Sequence, residues 1–349
     1  MKILLISPKM EKPNGGIAVW TNEYLAWCEK NGVDFHVVNT AAIGVRAEDG
    51  NAKRNYLDEF KRSRDIFHHV KKALKNDSFD AVHLNSSCGS FGIIRDFLSA
   101  RIIRSRLPRL RIVTHFHCDI PYQIGNPVSR YFLKKLITIS NENLVLCRNS
   151  QEYLKSLCGV ETTLIPNFIA EEMVATESKS ISDQLKTFFY VGRVEKAKGA
   201  VEIFSVAKDF PDIRFELAGA VSEEMKQIAK PENVVLLGAV PHEKVLDYMD
   251  RADAFVFPSY SEGFSVALLE SMARGLPCIA TDVGANGDML EGGCGIVVPS
   301  KDVSALKDAA EKMQSPEQRQ AMSCACIEKV KNHYTLDRVM KRIIEIYSA

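Results

Sequence analysis

Apolar runs of four to seven residues recur along the chain, separated by longer stretches in which apolar positions return every three or four residues. The short runs are continuous and rich in β-branched residues, as expected of parallel strands buried on both faces. Six fall in the first half, at Ile3–Ser7, Phe35–Val38, Ala81–Leu84, Arg111–His115, Leu144–Cys147 and Thr163–Ile165. Six more fall at Phe188–Val191, Arg214–Ala218, Val234–Leu237, Ala254–Pro258, Cys278–Thr281 and Gly295–Val298. Intervening stretches such as Asn22–Asn31 and Ser265–Arg274 have helical length and stop at Gly32 and Gly275, where glycine caps a helix in a left-handed conformation. Strand–helix alternation predicts a parallel sheet with helices on both sides. Two sets of six strands predict two such sheets, with the polar segment 166–186, opening on Pro166-Asn167, as the hinge. Ligands of open α/β sheets bind at the carboxyl ends of the strands. The expected site is therefore the cleft between the domains, built from strand-to-helix loops.

Composition narrows the class. A chain of 349 residues, 46% apolar and 26% charged, is globular and fits two domains. No apolar run approaches the about 18 residues of a membrane span. Met1–Pro8 passes from one Lys straight into a strand, so no secretory leader is expected. Nine cysteines lack Cys-x-x-Cys spacing, Cys324 and Cys326 being the only close pair, which predicts reduced thiols in a cytoplasmic chain. The net charge of +1 hides an asymmetry. Residues 1–170 carry 24 Lys and Arg against 16 Asp and Glu, and residues 171–349 carry 21 against 28.

Four segments carry candidate chemistry. In Ser259–Glu270 a strand runs into a loop holding Glu262, a helix starts near Ser265, and Glu270 lies more than a turn inside it. A helix N-terminus favours an anion such as phosphate, and a carboxylate at Glu270 can accept from two vicinal hydroxyls of a ribose. The plain alternative is that Glu262 caps the helix and Glu270 is an exposed helix residue. Leu268, Leu269 and Met272, however, leave Glu270 no clearly solvated stripe. In Tyr190–Gly199, Gly192 opens a loop that places Arg193 and Lys198 together, two cations suited to a diphosphate. Lys196, beside Glu195, reads as a solvated loop residue. Pro13–Ile17 holds adjacent Gly15 and Gly16, which either let backbone approach a ligand or merely turn the chain. Thr114–Asp119 places His115 and His117 on one face at a strand end, suited to hydrogen bonding or proton chemistry, or simply to packing.

Taken together, Gly192-Arg193 with Lys198-Gly199, then Glu262-Gly263-Phe264 and Glu270, resemble the retaining glycosyltransferases of family 4. The Gly15-Gly16 turn, His117 at its strand end, Pro166-Asn167, and Leu237-Gly238 before the Val245 helix extend the resemblance nearly end to end. It is most specific over residues 186–300 and loosest over 40–110. It implies an α/β GT-B fold, two Rossmann-like doubly wound parallel-sheet domains facing a central cleft. The acceptor-binding domain would span 1–168 and the nucleotide-sugar-binding domain 169–333, with a helix over 334–349 crossing back to the first. Arg193 and Lys198 would hold the donor diphosphate and Glu270 the ribose. Glu262 would contact the transferred sugar, aided by the backbone N–H groups of Phe264, Ser265 and Val266. His117 would lie near the reacting carbon and Gly16 near phosphate and acceptor. The chain departs from the family at Cys147-Arg148-Asn149-Ser150, and Arg148 receives no role.

The implied reaction is retaining transfer of a hexose or N-acetylhexosamine-type sugar from a nucleoside-diphosphate sugar. UDP is favoured over GDP on family frequency alone. No cofactor is expected beyond the donor. No Asp-x-Asp occurs, so no metal clamp is expected and the two cations would take its place. Three competitors stand beside this reading. They are a GT-B-type sugar-nucleotide epimerase, a metal-dependent hydrolase using His115, His117 and Asp119, and a non-catalytic sugar-nucleotide-binding module.

The basic first half bears on the acceptor. Arg95–Arg111 contains six Arg and Lys61–Lys75 six Lys or Arg, interleaved with apolar residues such as Ile66, Phe67, Val70 and Leu74. Such helices suit an anionic membrane surface, although the apolar stripe alone fits packing on the sheet. Few aromatics interleave the cations and the second half is acidic, so nucleic acid is not expected. The expectation is a peripheral enzyme at the inner face of the membrane, extending a lipid-linked saccharide in polysaccharide, O-antigen or glycolipid assembly.

Overall fold

A computed structural model describes residues 1–11, 16–43 and 55–349. The first sheet has β1 (Lys2–Ser7), β2 (Asp34–Asn39), β3 (Ala81–Ser86), β4 (Arg111–Phe116), β5 (Glu142–Val145) and β6 (Thr163–Leu164), in the order β2-β1-β3-β4-β5-β6. The second has β7 (Thr187–Val191), β8 (Arg214–Ala218), β9 (Val234–Gly238), β10 (Ala254–Phe257), β11 (Cys278–Thr281) and β12 (Gly295–Val298), in the order β12-β11-β10-β7-β8-β9. Every strand pair is parallel. All twelve expected strands are present. The largest shift is in β5, expected at Leu144–Cys147. Cys147 is instead the extended cap of the helix Arg148–Cys158, so the strand has already ended.

The chain forms two compact units, Met1–Ile165 with Met340–Ala349, and Pro166–Val339. In the first, Ile3, Leu4, Leu5 and Ile6 of β1 are buried, as a central parallel strand requires. The helix Tyr56–Asn76 buries Ile66, Val70 and Ala73, so its apolar stripe is core packing. Its first turn nevertheless leaves Tyr56, Leu57 and Phe60 exposed. The helix Leu336–Ser348 buries Val339, Met340 and Ile343, and Arg342 Nη2 donates to the Leu164 carbonyl at 3.0 Å.

Several cations of the basic surplus are engaged in the fold. Arg104 donates to the carbonyls of Pro108, Leu110 and Ile139 and to Asn141 Oδ1. Arg62 donates to the Thr40 carbonyl and Arg106 to that of Lys71, while Arg95 pairs with buried Asp96 at 3.4 Å. Lys61, Arg64, Lys71, Lys72, Lys75, Arg101 and Arg109 remain exposed.

In the second unit the polar segment 166–186 is fastened down. Ile169 N donates to Tyr334 O at 2.8 Å, Leu336 N donates to Ile169 O at 2.9 Å, and Lys179 N donates to Ser323 Oγ at 2.9 Å. Fully buried Arg319 reaches the Ser182 carbonyl at 2.8 Å. No helix among the described residues is long and apolar enough to cross a membrane, and none of the nine cysteines is in a disulfide.

Arg104 and Arg101 share a helix but differ in what they hold. Arg104→Ala should lower the free energy of unfolding by about 1.5–3 kcal/mol, as for hydrogen bonds to a charged group. Exposed Arg101→Ala should stay within about 0.5 kcal/mol. Urea unfolding checks both, and equal effects would refute the assignment.

Candidate functional site

The loop after β7 is fixed from beneath. Gly192 N donates to Ala218 O and Val194 N to Ala220 O, each at 2.9 Å, extending the β7–β8 pairing beyond the strands. Tyr190 Oη donates to the Arg193 carbonyl at 2.8 Å. Burial, then the carboxylates of Glu262 and Glu195, hold that phenol well above its ordinary pKa. The Arg193 side chain is 62% exposed and pairs with Glu195 at 3.1 Å. A 3-10 turn, Lys196–Lys198, follows, and Lys196 pairs with Glu224 at 2.5 Å.

The loop after β10 lies beside this turn because β10 and β7 are sheet neighbours. Tyr260 N donates to the Ala197 carbonyl at 3.0 Å, tying loop to loop. Lys198 Nζ then meets Glu262 Oε1 at 2.7 Å, with the side chains only 22% and 14% exposed. Two glycines make this approach possible. A Cβ on Gly199 (φ +77°) would lie 2.1 Å from the Pro258 carbonyl oxygen, and one on Gly284 (φ +56°) 2.2 Å from that of Glu262. Both positions need a left-handed backbone and no side chain.

The helix Val266–Ala273 begins beyond Glu262. Its cap is Ser265, whose Oγ accepts from Leu268 N at 3.3 Å, so Glu262 does not cap it. Phe264 is buried edge-on to Tyr334, and Val266 is exposed at the first helical position. Glu270 is buried and accepts from His242 Nε2 at 2.7 Å. Burial raises the Glu270 carboxyl above its ordinary value, with the imidazole opposing. The structure thus joins Lys198 to Glu262, keeps Arg193 within its own loop, and gives Glu270 a separate partner. His242 went unnoticed in the sequence. Its signal is Pro241-His242, a polar helix start in the loop after β9.

In the first unit His117 lies directly after β4, its N–H donating to Ser86 O at 2.8 Å. Its Nε2 meets Asn85 Oδ1 at 2.8 Å, and the His115 and His117 ring centroids are 4.0 Å apart. His83, two residues before Asn85 on β3, meets the same oxygen at 2.9 Å. Trp20 packs against all three imidazoles. Burial lowers His83 to about 4 and, with His83 nearby, His117 to about 3, so both are neutral. The in-register pairing of β3 and β4 adds a third histidine, His83, to the two at the end of β4. Asp119 faces elsewhere, accepting from Asn149 Nδ2 at 3.0 Å and Ser150 Oγ at 3.3 Å. His115, His117 and Asp119 therefore do not converge, and no group of three His, Cys, Asp or Glu among the described residues is placed to hold a metal. Gly16 is exposed at the start of the helix Gly16–Lys30, and Gly15 lies outside the described residues.

A sequence model described as Glycosyltransferase Family 4 matches residues 14–172, and one described as Glycosyl transferases group 1 matches residues 175–331. The chain is 22% identical to an uncharacterized 41.2 kDa protein in the cps region of Klebsiella pneumoniae, over 97% of its own length and 98% of the other. It is 26% identical to a putative teichuronic acid biosynthesis glycosyltransferase of Bacillus subtilis, over 52% of its own length and 49% of the other. The fold is similar to that of Anabaena HepE in complex with UDP and glucose, with a TM-score of 0.70 at 16% identity, covering 100% of this chain and 99% of that one. The two six-stranded parallel sheets with flanking helices are those of GT-B glycosyltransferases.

Glu270 carries a pH signature. A carboxyl raised in the folded state binds its proton more tightly there than in the unfolded chain. Its contribution to stability is present below the ordinary value of 4.5 and is lost as pH rises through the raised value. Glu270→Gln has no such loss. Urea unfolding across that window should show the variant gaining on the wild type as pH rises, and a pH-independent difference would contradict a buried charge.

Proposed function

Because the chain belongs to glycosyltransferase family 4, we propose that it is a retaining enzyme that moves a sugar from a UDP-linked donor held by the second unit. The observation that carries this reading is the Lys198–Glu262 pair beside the capped helix Val266–Ala273. An ammonium has three donors, and Glu262 engages one. The remaining two are suited to diphosphate oxygens, while pairing offsets the repulsion an acidic neighbour would exert on that anion. Exposed Arg193 adds a second cation on the same loop. Transfer builds negative charge on the leaving diphosphate, and fixed cations with helix-terminal N–H groups stabilise it as it forms. Glu262 Oε2 is then the acceptor for hydroxyls of the transferred sugar, and buried Glu270 the acceptor for the ribose. No nucleophile for a covalent intermediate is assigned. The acceptor hydroxyl attacks from the side the diphosphate leaves, and a phosphate oxygen takes its proton.

For the acceptor we propose a lipid-linked saccharide in polysaccharide or glycolipid assembly, reached at the inner face of the membrane. The support is chemical. The helix Tyr56–Asn76 presents exposed Tyr56, Leu57 and Phe60 followed by exposed Lys61, Arg64, Lys71, Lys72 and Lys75. Aromatics and cations together suit the headgroup region of an anionic bilayer. The Bacillus subtilis relative carries a name from teichuronic acid biosynthesis, consistent with such an acceptor.

Calorimetry with UDP, GDP and ADP should give binding strongest for UDP, and binding of none would overturn the donor reading. Lys198→Ala should lower turnover by about 10²–10³-fold, as for loss of one transition-state donor. Glu270→Ala should chiefly weaken donor binding, since ribose contacts are alike in ground and transition states.

Sedimentation should show the protein with anionic but not neutral liposomes at low salt, and release at high salt. Full activity on a lipid-free acceptor, with no liposome binding, would reject the membrane assignment.

A further inference from the structure

The geometry points to a fixed tautomer at His117, set by Ser7 and Asn85: Asn85 holds its Nε2–H, and Nδ1 is left as a bare acceptor that can take a hydrogen bond from a hydroxyl. Only the identity of that ligand rests on the functional reading above; the tautomer follows from hydrogen-bond direction alone.

The chain of deduction starts at the Ile17 carbonyl, which can only accept. Thr21 Oγ1 lies 2.8 Å from it and is therefore the donor. The Thr21 hydroxyl has one proton, so towards Ser7 Oγ, 2.6 Å away, it accepts and Ser7 donates. Ser7 in turn can only accept from Asn85, 2.9 Å away, which fixes the Asn85 amide nitrogen towards β1. The Asn85 oxygen must then face β3 and β4, where it meets His83 Nε2 at 2.9 Å and His117 Nε2 at 2.8 Å. An amide oxygen only accepts, so both Nε2 atoms carry protons. In a neutral imidazole the other nitrogen is then a lone pair. For His83 that lone pair receives the Tyr347 hydroxyl at 2.6 Å, which accepts in turn from Tyr24 at 2.9 Å.

For His117 the corresponding lone pair is Nδ1. It has no protein hydrogen-bond partner among the described residues, and His117 is half-buried. Trp20, Asn85, His115 and His83 lie near His117 among the described residues, and none of these four carries a charge. A neutral acceptor of this kind selects O–H donors and disfavours phosphate oxygens, which also only accept. His117 therefore reads a sugar hydroxyl and leaves anion binding to other residues. Ser7 and Asn85 act through it as positioning residues.

The test begins with the free, full-length protein labelled with 15N at histidine. Long-range 1H–15N correlation should show His117 protonated at Nε2 and bare at Nδ1 at neutral pH. The opposite tautomer or an imidazolium would overturn the inference. This spectrum needs no donor, so its failure is separate from a failure to bind UDP. Ser7→Ala removes the group that orients the amide and should yield a mixture of both tautomers; a pure Nε2–H form would contradict the directional argument. Asn85→Asp places a carboxylate against both imidazoles. It should add an acid limb to the pH profile of turnover where the wild type is flat, and an unchanged profile would count against Asn85. Among singly deoxygenated donors and acceptors, one should lose about tenfold in kcat/KM with the wild type and nothing with His117→Ala, in line with one neutral hydrogen bond. Uniform losses in both proteins would reject a hydroxyl contact at Nδ1.

Discussion

Both candidate sites depend on where a parallel sheet reverses the direction in which it adds strands. In the first sheet β1 lies between β2 and β3, and in the second β7 lies between β8 and β10. At such a point the connections on either side run to opposite faces of the sheet, and the loops at the carboxyl edge part. Lys198 and Glu262 come from the two loops that flank this point in the second unit. Ser7 ends β1 and Asn85 is the penultimate residue of β3, the two strands that flank it in the first. The fold chooses the place, and side chains determine what each place can recognise.

The two places use opposite electrostatics. In the second unit charge is kept: Lys198 pairs with Glu262, while Glu270 accepts a hydrogen bond from His242. A half-desolvated ion pair retains donors and acceptors that can engage both an anion and neutral hydroxyls. In the first unit burial removes charge altogether, leaving imidazoles, an amide and hydroxyls whose directions constrain one another. A buried network of this kind is rigid because each proton has one place to go. One unit presents paired charge at the carboxyl edge of its sheet, the other a neutral network.

The strands were legible because continuous β-branched runs leave few alternatives to a doubly covered sheet. The helix start near Ser265, its stop at Gly275 and the lack of a solvated stripe for Glu270 were also readable, since each is set by neighbours within one or two turns. The partners of those residues were not. His242 and Glu270 are separated by 28 positions, and His83 and Tyr347 by 264, so only the packed sheets bring them together. Charge counting misjudged the basic helices for a related reason. Composition registers Arg104 as a surface cation, whereas its guanidinium holds three carbonyls and an amide. Formal charge says nothing about which donors are already engaged.

The seating of Gly199 and Gly284 against neighbouring carbonyls has a consequence for descent with modification. Any side chain there would push the Lys198 turn or the Glu262 loop off its support, so this geometry leaves almost no freedom at either position. Change in this loop is accommodated more readily at exposed neighbours such as Val266. The scaffold separates residues that can drift from residues that cannot, and the boundary between them runs through a single loop.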